Sequence, residues 1–312
     1  MLCGAITVGL IFFMQKPTDV IARRFLQGAT SGTVAAATAL VAAETPRSRV
    51  GWALGVVTSA VALGGAIGPV VGGLAGDLFG LRLVFLGGGV ALFLAIIPVV
   101  LIVRESPLLR TAGRRLSTLA VINQKPGLDR ALAVLIGSQG LISTVNAATQ
   151  QLVVLRLLEL LTTGVSAVSG LGFGLAGLAS SAAAVGYTRV TRRVGHVRTA
   201  AIAAGLVAAA VAALGVAPWA AMVVIAMALN GLFSGVVLPA TASMIGLETP
   251  SEAQSTVFGL NASSVALGFA LGPIIGGTVA ATSGVQASLF VVAVLAVLLA
   301  ILIARGAREP VR

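Results

Sequence analysis

The sequence predicts an all-α polytopic membrane protein built from two pseudo-repeated helical halves, and three observations carry that prediction. Of 312 residues, 58% are hydrophobic and 9% charged, whereas soluble domains carry about 25% charged residues. The apolar residues fall in long runs fit to cross a bilayer as helices, for which about 20 residues are needed. They lack the alternating ten-residue pattern of a membrane barrel. Finally, residues 44–73 return at 248–277 without a gap, with Glu-Thr-Pro at 44–46 and Gly55, Ser59, Gly64, Gly68, Pro69, Gly72 and Gly73 among the identities. Self-similarity at a fixed spacing is the mark of a duplicated architecture.

Residues 1–15 are apolar but shorter than a span, and lack the basic start and small-residue cleavage site of a signal peptide. The next run, 18–43, contains Arg23 and Arg24. A cation within a span is costly, and functional when it faces the bundle interior; near an interface it snorkels to headgroups instead. Span 49–76 places Gly64, Gly68, Gly72 and Gly76 four apart, on one helix face. Such a stripe lets a neighbouring backbone approach closely, and Pro69 removes a mid-helix donor and bends the helix. The stripe is therefore either a packing seam or a moving part. Span 82–103 completes the first half.

Residues 104–129 are basic, with two prolines and two glycines, and form the one long polar connection. They separate a first half at 1–103 from a second at 130–312. Span 130–152 carries Gln139, Ser143, Asn146 and Gln150 at 4, 3, 4 spacing on one face. Buried amides and hydroxyls there either contact a substrate or join helices. Spans 164–188 and 197–217 flank a basic stretch in which His196 is expected to be solvated. Spans 218–246 and 253–281 each contain one asparagine, Asn230 and Asn261, and 284–305 closes the chain. In the second glycine block Phe269 and Ala280 replace Gly65 and Gly76, which predicts a bulkier face less suited to sliding.

Most of the 20 Lys and Arg lie in the Glu-Thr-Pro loops, 104–130, 189–198 and the C-terminus, which alternation of spans puts on one side. The positive-inside rule makes that side, and the C-terminus, cytoplasmic. This placement, along loops at one membrane face, explains the net charge of +11 without a nucleic-acid partner. A lone Cys3 excludes an intramolecular disulfide and a cysteine-clustered metal site. No cofactor motif or catalytic constellation appears, so an enzyme finds no support. With 18–43 and 218–246 counted in the duplicated block, three spans (130–152, 164–188 and 197–217) precede it in the second half and one partial span does so in the first. Equal halves therefore predict further spans upstream, starting roughly 74 residues before Met1.

The motifs resemble those of the major facilitator superfamily, in its drug:proton antiporter branch. Arg24-Phe25-Leu26-Gln27-Gly28 is similar to that family's Arg-x-x-Gln-Gly in its fourth helix. Gly55, Gly64, Gly68, Pro69, Gly72 and Gly73 match every fixed position of the antiporter motif of the fifth helix. Residues 80–85 are similar to the turn that follows, with leucine for both tryptophans. The family's signature loop between helices two and three lies outside the sequence. Its second-half echo at 186–198 lacks the acid. The resemblance covers the whole chain as helices three to twelve, about ten of twelve. It implies two six-helix halves in a cell (inner) membrane, acting as a monomer that exports a small-molecule substrate in exchange for protons. Arg24 and Gln27 are then implied in proton coupling. No mid-span acid is present, so Asp77, near a span end, is the acidic candidate. Gln139, Ser143, Asn146, Gln150, Asn230 and Asn261 are the substrate-binding candidates. An importer of sugars or organic acids on the same fold, and a non-transporting fragment, are the alternatives.

Overall fold

The computed structural model describes residues 2–13, 19, 25–28, 37, 40, 41, 45, 46, 49–102, 129–249 and 253–309. They form two compact units, Met1–Ala120 and Val121–Arg312. Among the described residues every regular element is helical, because each apolar run satisfies its own backbone polar groups only as a helix when lipid surrounds it.

In the first unit, α1 (Leu2–Gly9) runs into a 3-10 turn, Leu10–Phe13, and is followed by α2 (Val50–Phe79) and α3 (Leu81–Ile102). Most of the expected span 18–43, with Arg23 and Arg24, lies outside the described residues. Helix α1 packs on α3. At Gly89 a Cβ would lie 2.8 Å from Gly9 Cα, so this crossing requires glycine.

The second unit holds α4 (Arg130–Leu160), α5 (Val165–Val194), α6 (His196–Val216), α7 (Ala220–Glu248), α8 (Gln254–Ser283) and α9 (Val285–Gly306). Helix α4 packs against α7, α8 and α9, and Leu135, Ile142, Val145, Leu152 and Leu157 on it are fully buried. The chief partner of α5 is α7, and those of α6 are α9 and α7. Two boundaries extend beyond the sequence expectation. Helix α4 reaches Leu160, its added turns burying Val153 and Leu157 and pairing Arg156 with Glu159. Helix α5 reaches Val194, its basic last turn continuing past the apolar core of the span.

The duplication is wider than the shared sequence. Helices α2 and α8 are both 30 residues long, and α3 and α9 both 22. Each pair is offset by the same 204 positions as the sequence repeat. The joints match as well. Gly80 and Gly284 adopt φ of +82° and +88°, a region L side chains rarely enter, and break the helix into its successor after one residue. Pro69 and Pro273 sit inside helices that continue through them.

The two glycine stripes differ in what they touch. In α8, a Cβ at Gly272 would stand 2.5 Å from the Thr144 carbonyl oxygen and 2.8 Å from Ala147 Cβ. Gly268 is pressed as closely on the Gly140 carbonyl, and Gly276 approaches Ala148 Cβ at 3.3 Å. In α2, by contrast, a Cβ at Gly64, Gly65 or Gly68 meets nothing within 4 Å among the described residues, and one at Gly72 meets Val84 Cγ1 at 3.9 Å. The bulk expected on the second face is absent from the seam: Phe269 points away and is 53% exposed.

His196 also differs from the expectation. The connection between α5 and α6 is Gly195 alone, so His196 opens α6 and is not in a loop. Its backbone N–H and that of Val197 donate to the Glu309 carboxylate, the second at 3.0 Å, and its Nδ1 lies 3.4 Å from Glu309 Oε1. Partial burial raises the Glu309 carboxyl, but the N–H groups of His196 and Val197, then the His196 ring, hold it below the usual carboxylate value. The C-terminal tail thus caps α6, and Arg308, 3.6 Å from Asp129, lies beside the start of α4.

Candidate functional site

The polar line on α4 is divided between structural and unspent groups. Gln139 is buried and donates from Nε2 to the Leu238 carbonyl of α7 at 3.1 Å, an oxygen that also accepts from Thr241 Oγ1 at 3.2 Å. Ser143 is buried and donates to the Gln139 carbonyl of its own helix at 2.7 Å. Asn146 is half-buried, and its Oδ1 accepts from Ser234 Oγ of α7 at 3.0 Å. Gln150, one turn further, is exposed. The face read from the spacing is real. Its Gln139 end is committed to helix contacts, and its Gln150 end is open.

Asn230 and Asn261 stand out for the opposite reason. The Oδ1 atom of each is buried and without a hydrogen-bond partner among the described residues. A stranded buried amide oxygen costs about 1–3 kcal/mol, so such groups call for a ligand or another function. Asn230 lies four residues before Ser234, on the α7 face that meets Asn146. Asn261 lies three residues before Ser264, whose hydroxyl donates to the Ile136 carbonyl near the other end of α4. The structure therefore gathers Asn146, Ser234 and Asn230 into one polar patch and sets Asn261 apart. Nothing in the sequence separates the two, since the depth of each follows from the pairing of helices.

Arg156, to which the sequence assigned no role, is a clamp. It pairs with Glu159 at 2.7 Å and donates to the Ala217 carbonyl between α6 and α7 at 2.9 Å. Gln27 is half-buried in the helical turn 25–28, and Asp77 is exposed near the end of α2. Gly55, Gly64 and Gly68 of the motif are exposed, while Pro69, Gly72 and Gly73 are half-buried. Among the described residues no group of His, Cys, Asp and Glu gathers to hold a metal.

The model of the Major Facilitator Superfamily matches this chain over residues 1–199 and again over 140–312. An uncharacterized MFS-type transporter, YuxJ, of Bacillus subtilis (strain 168) is 30% identical over 297 residues, covering 91% of this chain and 74% of its own length. Multidrug resistance protein MdtG of Dickeya zeae (strain Ech586) is 27% identical over 297 residues, with 93% and 71% covered. A multi-drug resistance efflux pump PmrA homolog of Lactococcus lactis subsp. lactis (strain IL1403) is 28% identical over 279 residues, with 88% and 68% covered. Among solved structures, a POT family transporter in complex with 5-aminolevulinic acid superposes with a TM-score of 0.66 at 12% identity, over 96% of this chain and 79% of that one. The human organic anion transporter MFSD10 (TETRAN) gives 0.59 at 22% identity, over 97% and 76%. At such identities these two establish the fold alone.

Proposed function

We propose, from the premise that this chain belongs to the Major Facilitator Superfamily, that it exports small amphipathic compounds in exchange for protons by alternating access. The observation that carries the reading is the antiporter motif, complete at Gly55, Gly64, Gly68, Pro69, Gly72 and Gly73 on one helix. Relatives named for multidrug resistance support it. In the duplicate block the same glycines seat one helix backbone on another. The first block makes no such contact among the described residues, and this reading assigns it the moving part.

The polar patch of Asn146, Ser234 and Asn230 is the substrate contact in this reading. Asn230 offers an acceptor that no group among the described residues fills, and uncharged amides suit an amphipathic ligand whose binding is mostly apolar. Arg24 and Gln27 serve proton coupling, with Asp77 as the acid within reach of the membrane face. Import of an anionic substrate is the weaker reading, because Arg156, the cation nearest this end of α4, is committed to Glu159 and the Ala217 carbonyl. The basic loops support a cytoplasmic C-terminus in an inner-membrane protein, and the reading requires no second subunit.

The experiment is retention of an amphipathic cationic dye by cells expressing the chain. Lower steady-state retention, restored to the control level by a protonophore, is the expected result. Retention equal to that of non-expressing cells removes the export assignment.

A further inference from the structure

An apolar cleft of about 400 Å³ opens between α5, α6 and α7 of the second unit, and none of Asn146, Asn230 and Ser234 lines it. It exists because α5 and α6, though joined by one residue, touch each other little: both lean on α7, and α6 turns its other side to α9. Tyr187, Val190 and Val194 line one wall, Ile202 and Leu206 the other, and Phe233 the floor. On α5 the lining runs from Ala183 to Val194, which at 1.5 Å per residue is about 16 Å. That is close to half of the roughly 30 Å hydrocarbon thickness, the depth of one leaflet.

The mouth of the cleft is basic. Arg193 lies three residues beyond Val190 and seven beyond Gly186, so it continues the α5 wall, and Arg198 lies four before Ile202, so it begins the α6 wall. Both are exposed. Of the described acids at this end, Glu309 is held by the backbone N–H groups of His196 and Val197, Asp129 lies beside Arg308 and Glu248 ends α7 near that pair. No ion pair among the described residues engages Arg193 or Arg198, which leaves these two as the anion-binding groups. A leaflet-deep apolar slot ending in two guanidinium groups matches an acyl chain joined to a phosphate.

We propose that this cleft binds one anionic phospholipid, an acyl chain between α5 and α6 and its headgroup phosphate at Arg193 and Arg198. The free phosphate ion is the other source of that headgroup chemistry, and the test separates the two. The purified full chain in neutral detergent is titrated with phosphatidylglycerol, with phosphatidylcholine of the same acyl chains, and with inorganic phosphate, and bound lipid is counted by native mass spectrometry. At about 1 kcal/mol per basic residue near an anionic surface, phosphatidylglycerol binds about tenfold or more tightly than phosphatidylcholine. R193Q/R198Q brings that preference to about twofold or less. G186L puts a side chain into the slot from a position where the added Cβ itself meets nothing within 4 Å. It abolishes the tight lipid while the melting temperature of the lipid-free protein holds or rises, since leucine has the better helix propensity. Equal binding of the two lipids, unaltered phosphatidylglycerol binding in G186L, or loss of the counted phosphatidylglycerol on adding inorganic phosphate at the same concentration would each overturn the proposal.

Discussion

Gly272→Ala tests whether the second glycine stripe is a backbone seam. The new Cβ would stand 2.5 Å from the Thr144 carbonyl oxygen and 2.8 Å from Ala147 Cβ, against an optimal separation of about 3.5–4.0 Å between carbon atoms. Helices α4 and α8 must part by about 1 Å, loosening the neighbouring Gly268 contact and the 2.9 Å Ser264–Ile136 hydrogen bond. Overpacking of this kind costs about 1–3 kcal/mol. Alanine also improves helix propensity by about 1 kcal/mol, which masks part of the loss. Gly259→Ala, on the same helix with nothing within 4 Å of its Cβ, carries the propensity gain without the clash. The difference between the two variants isolates the seam, and about 1–3 kcal/mol separates them in equilibrium unfolding measured in bicelles. Equal stabilities would refute the packing argument for α8.

The equivalent substitution in the first block, Gly68→Ala, keeps the folded yield of the wild type and lowers coupled efflux per folded molecule. A drop in yield matching that of Gly272→Ala would make the two stripes equivalent. Asn230→Leu removes a stranded oxygen, so stability holds or rises by up to about 1 kcal/mol while dye efflux falls; Gln139→Leu, which loses an interhelical bond, costs about 1 kcal/mol instead. Parallel unfolding and efflux assays distinguish them. The Glu309 carboxyl titrates below its unfolded value, so its capping contribution is present above the unfolded value and is lost as pH falls through the folded one. Glu309→Gln therefore lowers the melting temperature at pH 7, and the difference from wild type closes in the acid range below about pH 4.

The helices were legible because a run of about 20 apolar residues has one stable conformation in lipid. The duplication was legible at 44–73 and 248–277, where the two copies keep glycine and proline at the same positions. It was hidden beyond, since α3 and α9 keep only Val90, Leu94 and Ile97 in common with Val294, Leu298 and Ile301. Lipid-facing helices need apolarity and length, which leave side-chain identity free. The direction of Phe269 and the contrast between the stripes were out of reach because a neighbour decides them. The same holds at the polar patch: spacing put Gln139, Ser143, Asn146 and Gln150 on one face, but hydrogen-bond partners on α7 decide which are spent. His196 looked like a loop residue because basic residues surround it, whereas the capping carboxylate comes from residue 309.

Coupled flux in proteoliposomes tests the transport assignment most directly. Vesicles containing the purified chain and enclosing a pH indicator are equilibrated with an amphipathic dye at equal concentration on both sides, and an acid-inside proton gradient is imposed. The dye is predicted to move against its own gradient while protons move the opposite way, and a protonophore is predicted to stop both. Dye movement no faster than in protein-free liposomes, or equally fast with and without the proton gradient, would contradict proton-coupled export.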